Sequence, residues 1–274
     1  MTSFTFNANT TAYSPTNALW LAKASKLAYR SESTIQETVK QWGFDKFFFL
    51  GDEVTQTEAW IAAKDDAIFV VFRGTDEAED WRTNVRLAQT LWQTRSGKES
   101  QHYAGAMVHR GFASALDRIW YPISERVNLF QDQNQTVWVA GHSLGGALAS
   151  VSLARFREEN IDIRGAYTFG QPRVFNKTFA KQLDADFKSK YFRFVNNNDV
   201  ICRVPFLLNY AHAGTLCYFN AQGQLKSNMP WWQRAFDRIY GRFLALGEPG
   251  TDGFEDHAID LYIENLEKNL QTRI

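Results

Sequence analysis

The chain has only two cysteines, Cys202 and Cys217, in 274 residues, so no disulfide framework staples it and a reducing compartment is expected. It carries no net charge either, because 30 Lys and Arg balance 30 Asp and Glu. That balance removes the long-range field that would favour nucleic acid as a partner. No apolar run approaches the roughly 18 residues that a membrane-spanning helix requires. Met1 to Tyr13 has neither a basic start nor an apolar core, so no conventional signal peptide is read there and a cytoplasmic location is expected. Internal repeats, long linkers and low-complexity tracts are also missing. With this length, that leaves a single domain over residues 1–274 with one sizeable core.

What is present is an alternation of short apolar runs with helical patterns. Pro15 to Ala28 reads as an early helix capped near Thr16 or Asn17. Phe47 to Leu50, Ala59 to Ala62 and Ile68 to Phe72 read as strands, with a hairpin turn at Lys64-Asp65-Asp66. From Asp76 to Trp92, the spacing of Trp81, Val85, Ala88 and Trp92 predicts one apolar stripe on a helix, either a mobile lid or a fixed surface helix. Gln93 to Gly105 reads as a loop and Phe112 to Phe130 as a helix. Strands follow at Thr136 to Ala140, Tyr167 to Phe169 and Tyr191 to Val195. Helices are expected over Leu144 to Glu158 and around Phe179 to Phe187, and a strand or hairpin over Ala213 to Phe219 turning at Gln222-Gly223. This alternation predicts an α/β fold with a mainly parallel sheet and right-handed crossovers.

Within that pattern, Gly141-His142-Ser143-Leu144-Gly145-Gly146 places one serine between glycines at a strand-to-helix switch. A sharp turn there exposes a nucleophile, and side chains at Gly141 and Gly145 would collide. Leu144 opens the helix, so its amide is an oxyanion donor. A serine nucleophile needs a base and an orienting carboxylate. In the chain order Ser, Asp, His, the downstream histidines are His212 and His257. His257 is favoured because it follows the turn Pro249 to Gly253 and opens a helix, whereas a structural bond is the ordinary use of His212. Asp199, just past the strand Tyr191 to Val195, is the preferred carboxylate; Asp252 and Asp256 are runners-up, and Asp184 and Asp186 fall on a solvated helix. Gly74-Thr75, after an earlier strand, supplies the second oxyanion donor at Thr75.

These pieces together resemble the class 3 lipase family of the α/β-hydrolase fold. The resemblance runs through Ile68 to Thr75 (IFVVFRGT), Asp80-Trp81 with Asn84, His109 to Phe112 (HRGF), Val139 to Ala149 (VAGHSLGGALA) and Tyr167 to Val174 (YTFGQPRV). It continues through Asn196 to Pro205 (NNNDVICRVP) and Asp256-His257 followed by Tyr262. It implies an α/β-hydrolase with Ser143 as nucleophile, Asp199 as orienter, His257 as base, and Thr75 and Leu144 as oxyanion donors. The implied activity is lipase cleavage of acylglycerol or related lipid esters without metal or cofactor. A phospholipase and a short-chain or feruloyl-type esterase are the alternatives within the class. A lipid-surface binding protein without turnover is the alternative outside it. Phe175 departs from the family's usual glycine, and Asp76, Glu77, Glu79 and Asp80 make the start of the lid segment acidic. Trp232, Phe236, Ile239, Tyr240 and Phe243 recur at helical spacing with Arg234, Arg238 and Arg242 on another face. That segment predicts either a helix packed on the domain or a peripheral contact with a lipid surface.

Overall fold

The computed structural model describes residues 4–75, 88–205, 209–227 and 255–271. Elements are numbered along those residues. Its centre is an eight-stranded sheet, β1 (Lys46–Asp52), β2 (Thr57–Ala63), β3 (Ala67–Phe72), β6 (Thr136–His142), β7 (Ile163–Phe169), β8 (Tyr191–Asn196), β9 (Thr215–Phe219) and β10 (Leu225–Lys226), in that spatial order. The inner strands from β3 to β9 run parallel, whereas β1, β2 and β3 form an antiparallel meander and β10 turns back on β9. A separate two-stranded ribbon pairs β4 (Gln89–Leu91) with β5 (Met107–His109).

Parallel inner strands are buried on both faces, and their sequences show why. In β3, Ile68, Val70 and Phe72 enter one core and Ala67, Phe69 and Val71 the other; in β6, Val137 and Val139 oppose Trp138 and Ala140. The first core is closed by α3 (Arg110–Phe130), α4 (Leu144–Glu158) and α5 (Lys177–Phe187). The second is closed by α1 (Pro15–Leu27), α2 (Glu32–Gln41) and α6 (Ile259–Gln271). Buried side chains as large as Trp60, Trp120 and Trp138 each contribute on the order of 3 kcal/mol through lost water contact. Among the described residues no helix is long and apolar enough to cross a membrane.

Most of the expected elements form with slightly longer bounds, and α4 matches the expected Leu144 to Glu158. Two differences stand out. Helix α2 was not anticipated, because only Ile35 and Val39 of its ten residues are buried; its signals are the Ser31 cap, which accepts from the Thr34 amide, and that i, i+4 pair. The helix expected over Asp76 to Trp92 is corrected at its end. Residues 76–87 lie outside the described residues, but Gln89 to Leu91 are extended and paired with β5. Trp92 is buried against Phe179, donates from Nε1 to Glu158, and lies 4.0 Å beneath the Arg155 guanidinium. These partners lie more than 60 residues further on, so local periodicity carries no trace of them. Both cysteines are free and buried. Phe175, at the family's usual glycine, is fully buried and bridges Val108 and Ala211. The aromatic and arginine segment from Trp232 to Phe243 lies outside the described residues.

Candidate active site

At the C-terminal end of β6 the chain reverses through Ser143, which holds φ 57° and ψ −125°. Positive φ is costly for a side chain with a Cβ, on the order of 1–3 kcal/mol, so the neighbours must impose it. They do so by close approach. A Cβ on Gly141 would strike the Gly145 carbonyl and come within 2.7 Å of the Gly146 nitrogen; one on Gly145 would strike the end of β3, 2.8 Å from the carbonyl carbon of Arg73. The Ser143 amide donates to the Phe169 carbonyl at 2.9 Å, which ties the turn to β7. Helix α4 begins at Leu144, so that amide belongs to the first turn, which has no intrahelical acceptor. Contact between Gly145 and the end of β3 also brings Gly74-Thr75 beside the elbow, and a Cβ on Gly74 would sit 2.7 Å from the His142 carbonyl oxygen.

Asp199 follows β8 and is fully buried. Its Oδ1 accepts from the Ile201 amide at 2.9 Å. Its Oδ2 accepts from His257 Nδ1 at 2.9 Å and from the Tyr262 hydroxyl at 2.6 Å. Burial alone would raise this carboxyl, but the charge and hydrogen bond of His257, followed by the Tyr262 bond, outweigh it and hold Asp199 below the usual range. Because a carboxylate only accepts, Nδ1 of His257 carries the proton and Nε2 presents a lone pair. That Nε2 is buried and, among the described residues, has no hydrogen-bond partner. Gly170, at φ 61° just beyond β7, leaves the room for this pair: a Cβ there would lie 2.7 Å from His257 Cε1 and 3.0 Å from Asp199 Oδ2.

The other candidates have different uses. Asp256 accepts from the Asn197 side chain and the Asn198 amide, bracing the loop before Asp199 from the histidine side. His212 donates from Nε2 to the Cys202 carbonyl at 2.7 Å, the structural bond expected of it. Asp184 accepts from the Gly214 amide, and Asp186 from His102 and Tyr103. Asp252 lies outside the described residues. Thr75 is half-buried at the end of the segment after β3. The sequence motifs assign no role to Tyr262, or to Gly170 inside YTFGQPRV. Their signals are a tyrosine five residues after His257, reached across the start of α6, and a glycine directly after a strand.

Several histidines around this framework, His142 and His109 buried and His212 half-buried, are held in the neutral form. Burial, then the nearby His257, pushes His142 down to about 3; burial pushes His109 down to about 4, and burial with Arg193 and Arg173 pushes His212 well below its usual value. In the unfolded chain each titrates at the ordinary 6.5. Below that pH the unfolded state binds more protons than the folded one, so stability falls as pH falls. Asp199 has the opposite cause but acts lower: its contribution is present above the ordinary 3.8 and is lost only as pH falls through its depressed value. Between about pH 6.5 and 4 the histidines therefore set the slope, up to about 1.4 kcal/mol per pH unit for each one. Urea unfolding at pH 7 and pH 4.5 should show a lower midpoint in acid, and His142→Gln should flatten the difference. An unchanged midpoint would contradict buried neutral histidines.

The sequence matches the family described as lipase (class 3) over residues 69–209, just over half of the chain. It is similar to a secreted mono- and diacylglycerol lipase of Fusarium solani, at 32% identity over 148 residues covering 53% of this chain and 41% of that protein. It is also similar to a chloroplastic phospholipase A(1) of Arabidopsis thaliana, at 30% identity over 152 residues covering 50% of this chain and 33% of that protein. The chain thus spans well under half the length of these relatives. Among solved structures, a mutant form of MDLA from Penicillium cyclopium shares the fold, with a TM-score of 0.68, 20% identity, and coverage of 90% of this chain and 96% of that one.

Proposed function

Because the chain belongs to the class 3 lipase family, we propose that it is a serine hydrolase of lipid carboxylic esters, acting on acylglycerols through an acyl-enzyme at Ser143. The observation that carries this reading is the buried Nε2 of His257, without a partner among the described residues, whose opposite nitrogen is bound to Asp199. A buried lone pair that no described protein donor engages is a base awaiting a proton. In this reading Ser143 Oγ attacks the ester carbonyl while His257 Nε2 takes its proton. The new oxyanion receives N–H groups from Leu144 and Thr75, each of the kind that contributes about 10²- to 10³-fold in rate. The alcohol then leaves with the proton from His257, and water, activated by the same nitrogen, releases the fatty acid.

Depressing the Asp199 carboxyl keeps it ionised, so it stabilises the imidazolium that forms in both steps. Similarity to mono- and diacylglycerol lipases supports glycerides with free hydroxyls as substrates; similarity to a phospholipase A(1) makes the phospholipid ester the competing outcome. A fluorophosphonate probe should label Ser143 in the native protein and not in the unfolded one. Hydrolysis of diacylglycerol should exceed that of the matching phosphatidylcholine. Absence of labelling would overturn the hydrolase reading, and the reverse substrate order would replace the lipase with a phospholipase.

A further inference from the structure

His142 stands immediately before the nucleophile, is buried, and has no task in the reaction above. Both its ring nitrogens are engaged. Nε2 lies 2.8 Å from the main-chain oxygen of His257, and Nδ1 lies 2.8 Å from the Tyr29 hydroxyl. A carbonyl oxygen only accepts, so Nε2 carries the proton; the neutral ring then offers a lone pair at Nδ1, and the Tyr29 O–H donates to it. Burial and the neighbouring His257 keep the ring neutral, with its pKa pushed down to about 3. The His142 ring also packs against that of His257 in a tilted contact, with centroids 4.6 Å apart and planes inclined by 32°. On its other side the Tyr29 hydroxyl stands against Gly74, where any Cβ would collide with it.

We infer that Tyr29 and His142 are positioning residues: a chain of hydroxyl, imidazole and carbonyl that holds the His257 main chain and packs against its ring, so that Nε2 faces Ser143. The inference rests on the ester-hydrolase reading. Among the described residues the His257 side chain makes one hydrogen bond, to Asp199, about which the imidazole could pivot. Anchoring the carbonyl of the same residue and covering one ring face removes that freedom, and displacements near 1 Å cost about 10²-fold in rate. The Tyr29 proton also fixes the tautomer of His142. Without it, the proton can move to Nδ1, and two lone pairs then face each other across 2.8 Å at the His257 carbonyl. By filling the space at Gly74, the same hydroxyl sets the segment that delivers Thr75 against the elbow. One side chain after the end of α1 thereby meets the ends of β3 and β6 and, through His142, the residue that precedes α6.

The test compares wild type, Tyr29→Phe, His142→Gln, His142→Leu and the double variant Tyr29→Phe/His142→Gln. The readouts are kcat and KM on a soluble p-nitrophenyl ester and the rate of fluorophosphonate labelling at Ser143. His142→Leu should lower kcat and labelling by about 10- to 100-fold with KM within twofold. His142→Gln, whose amide N–H can still reach the His257 carbonyl, should recover most of that loss. Tyr29→Phe should lower kcat about 5- to 10-fold in the wild type and clearly less in the glutamine variant, because the part of its effect that passes through Nδ1 is already lost there. Equal impairment of the leucine and glutamine variants, or kcat within twofold of wild type for both Tyr29→Phe and His142→Leu, would overturn the inference. Should His142→Leu fail to fold, Tyr29→Phe with and without His142→Gln decides it. A wild-type protein that is not labelled removes the hydrolase reading itself; a labelled wild type with unaffected variants removes only the positioning chain.

Discussion

Ser143→Ala should lose about 10⁶-fold in turnover and all fluorophosphonate labelling while keeping its fold. The size follows from the proposed reaction, in which, without Oγ, neither the base nor the oxyanion donors have a step to assist. The fold should survive because the Ser143 side chain contributes no hydrogen bond to the helix it precedes. Its backbone suggests a companion variant. At φ 57° and ψ −125° any residue with a Cβ is strained, so Ala inherits the strain and Ser143→Gly relieves it. Relief of about 1–3 kcal/mol, less about 0.5–1 kcal/mol for the extra freedom of glycine in the unfolded chain, leaves the glycine variant more stable. Calorimetry should place its Tm about 2–4 °C above that of the alanine variant. Residual turnover above about 1% of wild type in Ser143→Ala would remove the serine from the chemistry, and a glycine variant that melts first would show that the elbow stores no strain.

Asp199→Asn should lower kcat by about 10⁴-fold with a much smaller change in KM. Both carboxylate oxygens are committed, one to the Ile201 amide and the other to His257 Nδ1 and the Tyr262 hydroxyl. All three partners are donors, and Tyr262 already accepts from the Asn196 amide. An asparagine has one acceptor to offer where two are needed. If its oxygen faces Ile201, its NH₂ confronts Tyr262 and His257, and the histidine avoids the clash by moving its proton to Nε2. The base then arrives at Ser143 already protonated. If the oxygen faces His257, the NH₂ abuts the Ile201 amide, leaving buried donors unpaired at a cost of about 1–3 kcal/mol. Steady-state kinetics and urea unfolding of the same preparation separate the two effects. A kcat loss below tenfold in a stably folded variant would mean that Asp199 does not orient His257.

The elbow was legible because its requirements are local. Glycines at Gly141 and Gly145 mark where backbones touch, and the apolar run before Ser143 with the alanine-rich helix after it fixes the switch from strand to helix. Choosing among histidines and carboxylates needed a global rule, the order of strand ends along an α/β chain, and that rule selected Asp199 and His257. It could not show that Asp256 braces the loop rather than orienting the base, because that depends on where the Asn197 side chain and the Asn198 amide lie. Trp92 failed for a related reason. Its period agreed with a helix, but Phe179, Arg155 and Glu158 bury it beside a strand, and such contacts outweigh a weak local preference.

By itself, the sequence determined the α/β alternation, the glycine-flanked serine at a strand-to-helix turn, and membership of the family. Each of these is written in spacing and residue type, which the chain carries before it folds. Only the tertiary structure decided that Asp199 shares one oxygen between His257 and Tyr262, that Gly170 leaves space for the pair, and that Tyr29 and His142 hold the far side of the histidine. These depend on contacts between residues up to 115 positions apart, as His142 and His257 are. Separations of that kind are closed by the sheet and its two cores, and no local pattern records them.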